Sequence, residues 1–328
     1  MEALPPSRIF SIATEAEFEA AVRDTLDFQY HASSVYREFC NHLGFHPTRS
    51  YDLKDIPFLP IDFFKSHLVS SHPGPYAQRF QSSGTTGQVR STHYLPTTDY
   101  YEESFIKAFE LFYGPVEDYC ILALLPNYLE QQHSSLVYMV DHLQKRSQHP
   151  LGGFYLNEHE ALLKQIKAAR ATGSKILLIG VSFALLDLAE QQQVNLDGIT
   201  VMETGGMKGR RTEIIRQELH QRLQAGLGVQ HIHSEYGMTE LLSQSYSVKN
   251  ALFNSPPWKR ILIRDPEDPL SLAAPGKSGG INVIDLANQH SCSFIATQDL
   301  GRWHEGGFEV LGRFDHAEVR GCNLMVAT

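Results

Sequence analysis

Between residues 119 and 237 the chain alternates short, largely apolar runs with amphipathic stretches. "YCILALL" (119–125), "KILLIGV" (175–181), "GITVMETGG" (198–206) and "VQHIHSEYG" (229–237) have strand length. "SSLVYMVDHLQKR", "NEHEALLKQIKAARATG", "SFALLDLAEQQQ" and "RTEIIRQELHQRLQAG" carry helical spacing between them, the second with an Asn cap and a Gly stop. A strand buried on both faces reads as a continuous apolar run. It reaches a parallel neighbour only through a crossover of a dozen residues or more, usually a helix. This rhythm predicts an α/β fold: a mainly parallel sheet core with helices on both faces.

The flanks differ. Residues 14–43 repeat apolar positions at helical spacing up to Gly44, which predicts a helix there. "IPFLPIDFFKSHLVSSHPGP" is rich in proline and aromatics and reads as irregular chain packed on the body. After residue 255, prolines punctuate short strand-like segments, "RILIRD", "GINVIDL", "CSFIATQDL" and "GFEVLG". The expected organisation is a helical N-terminal segment with an α/β core over 1–254, for which the motifs below imply nucleotide binding. A small C-terminal β-rich subdomain follows over 255–328.

Composition narrows the function. The 328 residues carry a net charge of −9 without a Lys/Arg cluster of the size a nucleic-acid face needs. No apolar run is long enough for a membrane span, and "MEALPPSRIF" lacks a signal core. Cys40, Cys120, Cys292 and Cys322 are scattered without a C-x-x-C pair, which fits a reducing cytoplasm. His231 and His233 alternate as in a strand, with no third metal ligand in view.

In an open α/β sheet, ligands bind beyond the carboxyl ends of the strands. "FQSSGTTGQVRSTHYL" packs Ser82, Ser83, Gly84, Thr85, Thr86 and Gly87 together, with Arg90, Ser91 and Thr92 close behind. Glycines let successive N–H groups converge and hydroxyls add donors, so the stretch reads either as a phosphate cradle or as a polar surface loop. In "METGGMKGRR", Gly205 and Gly206 would admit a flat ring or a phosphate, with Lys208 beyond them. The same residues also suit a strand-to-helix turn with a basic helix start. "SEYGMTEL" offers Tyr236 for stacking, Gly237, Thr239 for a phosphate oxygen and Glu240 for Mg²⁺, or else a capped helix start. Asp299 in "TQDLGRW" suits the two hydroxyls of a ribose, or the turn at Gly301. "GKS" at 276–278 is no Walker loop, because its upstream glycine position holds Ser271. No G-x-S-x-G elbow is present.

Taken in order, "SSGTTG", "YGMTE", "PGKSGG", "TQDLGRW" and "GRFD" resemble the adenylate-forming superfamily of acyl- and aryl-activating enzymes. "FLPIDFFKS", "ETGGMKGRR" and "RFDHAEVRGCNLMV" resemble its LuxE-type acyl-protein synthetase family, and the likeness runs from about residue 55 to the end. The resemblance implies the large N-terminal domain of these enzymes, with ATP and Mg²⁺ as cofactors. It implies that residues 82–87 close over the β- and γ-phosphates and that Tyr236 lies by the adenine. Thr239 would meet the α-phosphate, Glu240 would bind Mg²⁺, and Asp299 and Arg313 would hold the ribose or phosphate.

It further implies an acyl-accepting cysteine near the C-terminus, matched by Cys322 in "VRGC". The residue-level alternative for Cys322 is a buried strand cysteine. "PNYLEQQHSSL" is expected to line the acyl pocket with His133, although a satisfied core histidine is the commoner role. Larger superfamily members continue into a domain with a catalytic lysine. Here Lys208, Arg90 or a partner is expected to supply that charge. The expected activity is ATP-dependent activation of a fatty or other carboxylic acid and transfer to a thiol. The implied partner is an acyl-accepting protein or an acyl reductase or transferase. An aryl or amino-acid ligase acting on coenzyme A or a carrier thiol, and a non-catalytic nucleotide-binding scaffold, remain as alternatives.

Overall fold

The computed structural model describes residues 2–48, 51–83, 89–126, 131–191, 194–205 and 214–314. A short helix α1 (Pro6–Ile9) leads to α2 (Glu15–Ala32) and α3 (Ser34–His42). The Thr14 hydroxyl accepts from the Glu17 N–H, and the Glu17 carboxylate accepts from the Thr14 N–H, a closed capping box. The single helix expected over 14–43 is two. Ser33 takes an extended conformation and its hydroxyl caps α3 through the Tyr36 N–H. Apolar periodicity continues across the break, which is why spacing alone does not reveal it.

Next come strand β1 (Leu59–Pro60), α4 (Phe63–Ser66), and a hairpin of β2 (Gln78–Gln81) and β3 (Thr92–Leu95). The segment read as irregular therefore supplies a strand. Helix α5 (Asp99–Tyr113) leads into the alternating region: β4 (Tyr119–Leu124), α6 (Ser135–Ser147), β5 (Gly153–Phe154), α7 (His159–Ala171), β6 (Lys175–Val181), α8 (Ser182–Gln191), β7 (Thr200–Thr204), α9 (Arg216–Leu227), β8 (His233–Tyr236) and β9 (Ser245–Ser247). The α7 cap position holds Glu158, without a side-chain cap bond, rather than Asn157.

These strands form one sheet in the order β5-β4-β6-β7-β8-β9, parallel except for β9. All six β4 residues are buried, as two-sided burial demands. Strand order reverses around β4. With right-handed crossovers, α6 lies on one face and α7, α8 and α9 on the other. The carboxyl ends of β4 and β6 therefore flank a topological switch point.

A second sheet comprises β10 (Lys259–Arg264), β11 (Ser278–Asp285), β12 (Phe294–His304) and β13 (Gly307–Arg313). Strand β1 pairs in parallel with the first half of β12, and β13 pairs with its second half. Asp299 is thus mid-strand, not at a strand end as expected. The N-terminal helices pack on this sheet's β11–β12 turn. Gln29 donates to the carbonyls of Asn288 (2.7 Å) and Gln289 (3.0 Å) and accepts from the Ser293 N–H (2.9 Å). The Tyr36 ring stacks on Phe294 at 5.8 Å.

The sheets meet at Asp285, which has no solvent exposure. Its carboxylate accepts from the N–H groups of Leu242 (2.8 Å) and Ser243 (2.9 Å) and from the Ser243 hydroxyl (2.5 Å). Asp285→Ala strands those buried donors. It should cost about 3–5 kcal/mol of stability, read as a lower urea midpoint with an unchanged slope.

Candidate functional site

Strand β8 ends on Tyr236, and no helix follows. The chain turns through Gly237–Glu240 and returns as β9, which removes the capped-helix reading of "SEYGMTEL". The Tyr236 ring is buried, with Phe253 and Phe308 packed edge-on at 5.9 and 6.0 Å. Its hydroxyl donates to Asp299 Oδ2 at 2.8 Å, so two residues 63 positions apart form one unit. Burial raises the Asp299 pKa above its ordinary value, against the Tyr236 bond and the charges of Arg313, Arg216 and Arg264. Arg313 Nε stands 4.0 Å from Asp299 Oδ1 and pairs with it across β12 and β13. The Arg313 side chain is 85% exposed.

Glu240 is buried, which raises its pKa despite a hydrogen bond from the Ser91 side chain and the fields of Arg313 and Lys65. Its carbonyl accepts from Asn288 Nδ2 (2.8 Å). Ser91 also closes the base of the hydroxyl-rich loop. Its N–H donates to the Ser82 hydroxyl (3.0 Å), and its carbonyl accepts from the Ser82 N–H (3.1 Å). Ser82 therefore spends acceptor capacity on the mouth of the loop. Ser83 and Arg90 are exposed. The Thr239 side chain is half-buried, while its carbonyl accepts from His93 Nδ1 at 2.9 Å.

His133 sits at the start of α6 beside the same hairpin. Its carbonyl accepts from the Gln81 N–H (2.8 Å), and its Nε2 lies 3.5 Å from Arg79. The buried His133 Nδ1 has no hydrogen-bond partner among the described residues. Gly205 follows β7 with φ of +70°, and its carbonyl accepts from the Ser182 hydroxyl at 2.5 Å. Gly84, Thr85, Thr86, Gly87, Gly206, Lys208 and Cys322 lie outside the described residues.

Ser82, Ser91 and Glu240 thus form one group and Arg313, Asp299 and Tyr236 a second, with the Arg313 charge felt at Glu240. Behind them lie acids that sequence reading passed over. Burial pushes the Glu203 carboxyl up. Arg216 (Nε to Oε1 3.2 Å) and His220 outweigh it and leave the pKa low. Arg216 also donates to the Val310 carbonyl on β13 (3.0 Å), which ties the ribbon to the sheet. Glu235 accepts from the Thr204 hydroxyl at 2.5 Å, yet burial pushes its pKa up to about 7. Burial likewise lowers Lys259, under the Tyr236 ring, to about 8. A charged residue inside an apolar strand, as in "GINVIDL" or "VMET", is the sequence signal for such groups.

Residues 8–98 match the family model "Acyl-protein synthetase, LuxE". Over 334 residues the chain is 24% identical to the long-chain-fatty-acid–luciferin-component ligase of Vibrio harveyi, covering 93% of this chain and 86% of the relative. The fold is similar to that of ATP-bound MatB from Rhodopseudomonas palustris, with a TM-score of 0.54 and 18% identity. That likeness covers 73% of this chain and 48% of MatB, so the chain spans about half of MatB's length. It is also similar to 2-hydroxyisobutyryl-CoA ligase in its thioesterification state, with a TM-score of 0.64 and 14% identity over 96% of this chain and 73% of that one. The resemblance to the LuxE-type acyl-protein synthetases is borne out, and so is the α/β fold expected from it. No helix among the described residues is long and apolar enough to cross a membrane.

Glu235 carries a pH dependence. Its pKa is raised in the fold, so the native state holds a proton that the unfolded chain releases near 4.5. The stability this contributes is complete below pH 4.5 and is lost as pH rises through 7. Glu235→Gln removes the dependence. Relative to wild type, it should gain about 2–3 kcal/mol between pH 5 and pH 8, measured by urea unfolding.

Proposed function

We propose that this relative of the LuxE-type acyl-protein synthetases activates a carboxylic acid, of the fatty-acid class, as its acyl-adenylate and passes the acyl group to a cysteine thiol. One observation carries the reading: the Tyr236–Asp299 bond and the approach of Ser91 to the Glu240 carboxyl bring three distant motifs together. The Vibrio harveyi ligase, named for a long-chain fatty acid, supports the substrate class.

In this reading Asp299 accepts from the ribose hydroxyls of ATP, with Arg313 beside it. Tyr236 and the Gly205–Gly206 backbone border the adenine. The Thr239 hydroxyl meets the α-phosphate, and the N–H and hydroxyl groups of residues 82–87 hold the β- and γ-phosphates. Glu240 fits Mg²⁺: one carboxylate supplemented by phosphate oxygens is the usual arrangement for that ion. When bound, the ion neutralises phosphate charge. The protein's work is alignment and charge stabilisation. A substrate carboxylate oxygen attacks the α-phosphorus, the bond to the β-bridging oxygen breaks, and pyrophosphate leaves. Lys208 or Arg90 balances the charge that develops, and His133 borders the acyl group.

A thiolate, on Cys322 or on an acyl-accepting protein, then attacks the acyl carbonyl carbon, and AMP departs with the bonding pair. Partners of this kind include an acyl reductase or transferase. The unpaired, buried cysteines Cys40, Cys120 and Cys292 suit a reducing cytoplasm.

Carboxylate-dependent exchange of pyrophosphate into ATP, screened over acids of increasing chain length, tests the reading. No exchange with any acid would overturn it. Asp299→Ala should weaken ATP binding by about ten- to a hundredfold, the loss of one or two hydrogen bonds to a charged group. Calorimetry showing wild-type affinity would remove the ribose role. Cys322→Ser should keep the exchange and lose a hydroxylamine-labile acyl mass. Retention of that mass would move the acceptor to another thiol.

A further inference from the structure

Strand β3 leaves the phosphate loop with Ser91 and His93 two residues apart. Residues at that spacing face the same side of a strand, and both reach the Gly237–Glu240 turn. Ser91 lies beside the Glu240 carboxyl and favours its ionised form, and His93 Nδ1 donates to the Thr239 carbonyl at 2.9 Å. On the other side of the ring, His93 Nε2 meets the Ser291 hydroxyl at 2.8 Å, on the β11–β12 turn. A carbonyl only accepts, so Nδ1 carries the proton and Nε2 accepts from Ser291. The ring has no solvent exposure, and Phe64 packs edge-on at 5.5 Å. Burial lowers its pKa to about 4, which keeps it neutral in this tautomer.

We infer that His93 is a positioning residue that sets the Thr239–Glu240 turn against the phosphate loop. It spans three separate pieces of chain: the loop's own strand, the turn with the α-phosphate and Mg²⁺ residues, and the β11–β12 turn held by Gln29. The inference rests on the acyl-activating reading for its catalytic consequence, but the placement of the turn stands on geometry alone. A hydroxyl from Ser291 and a carbonyl from Thr239 specify one ring orientation. Strand β3 and the turn are therefore held at one separation. A misplacement of about 1 Å at such a junction costs up to about 10²-fold in rate.

Two substitutions separate the ring's halves. Asparagine places its amide nitrogen where Nδ1 stands, so His93→Asn keeps the bond to Thr239. Glutamine reaches the Nε2 position, so His93→Gln keeps the bond to Ser291 and loses Thr239. His93→Gln should speed amide hydrogen exchange at residues 239–242 by about five- to tenfold, the equivalent of one hydrogen bond, and His93→Asn should leave it near wild type. In the ATP–pyrophosphate exchange assay, His93→Gln should lower kcat by about ten- to a hundredfold. Its KM for ATP should change less, and His93→Asn should restore most of kcat. Equal amide protection of the turn in the two variants, or an equal kcat, would overturn the role. Absence of exchange in the wild type would overturn the acyl-activating reading instead, and the amide measurement would still decide the placement of the turn.

Discussion

The junction between the two sheets hangs on one carboxylate. Asp285 lies at the end of β11 with no water to solvate it, so its lone pairs must be met by protein donors. They are met by Leu242, Ser243 and, at 3.2 Å, Ala287. Leu242 and Ser243 belong to the chain that has just left the Thr239–Glu240 turn. The Ser243 hydroxyl also accepts from Trp258 Nε1 (3.1 Å), and the Ser243 carbonyl accepts from Lys259 (2.8 Å). The same group of atoms thus holds the second sheet onto the first and fixes where the turn emerges. An apolar residue at 285 would fill the space and leave both roles undone.

The proposed nucleotide site is rich in acids, each met by specific partners. Glu203 is held ionised by Arg216, which turns the same guanidinium toward Val310 on the ribbon. Glu235 titrates near neutrality. Asp299 and Glu240 have raised pKa values and cations close by. Arg264 is anchored by the carbonyls of Ile281 and Thr297. Arg216 and Arg264 are thus fixed by backbone acceptors, while Arg313 pairs with Asp299 from an exposed position.

Much of the frame was legible because it is local. Apolar runs and amphipathic spacing between 119 and 237 give the strands, the helices and their alternation, and the motif order points to the residues proposed for the nucleotide. The unread parts are long-range. Nothing near His93 announces a carbonyl 146 positions away, and nothing in "GINVIDL" says that its acid will cap a turn 42 positions earlier. The Ser33 break is invisible because both halves keep the same apolar face. "DLG" reads as a turn after Asp299, whereas the strand runs on through a bulge between Leu300 and Gly301.

The parallel pairing of β1 with β12 has a consequence for biosynthesis. Gln29 and Ser293 meet across 264 positions of sequence, and β1 finds its neighbour equally late. At a synthesis rate of about 5–20 residues per second, roughly 10–50 s separate the emergence of α2 from that of its binding turn. The parallel sheet, complete once β9 has left the ribosome, has time to form first. The N-terminal helices must wait beside it with the apolar faces of Tyr36 and Phe18 uncovered, which makes nascent chains of intermediate length clients for a holding chaperone.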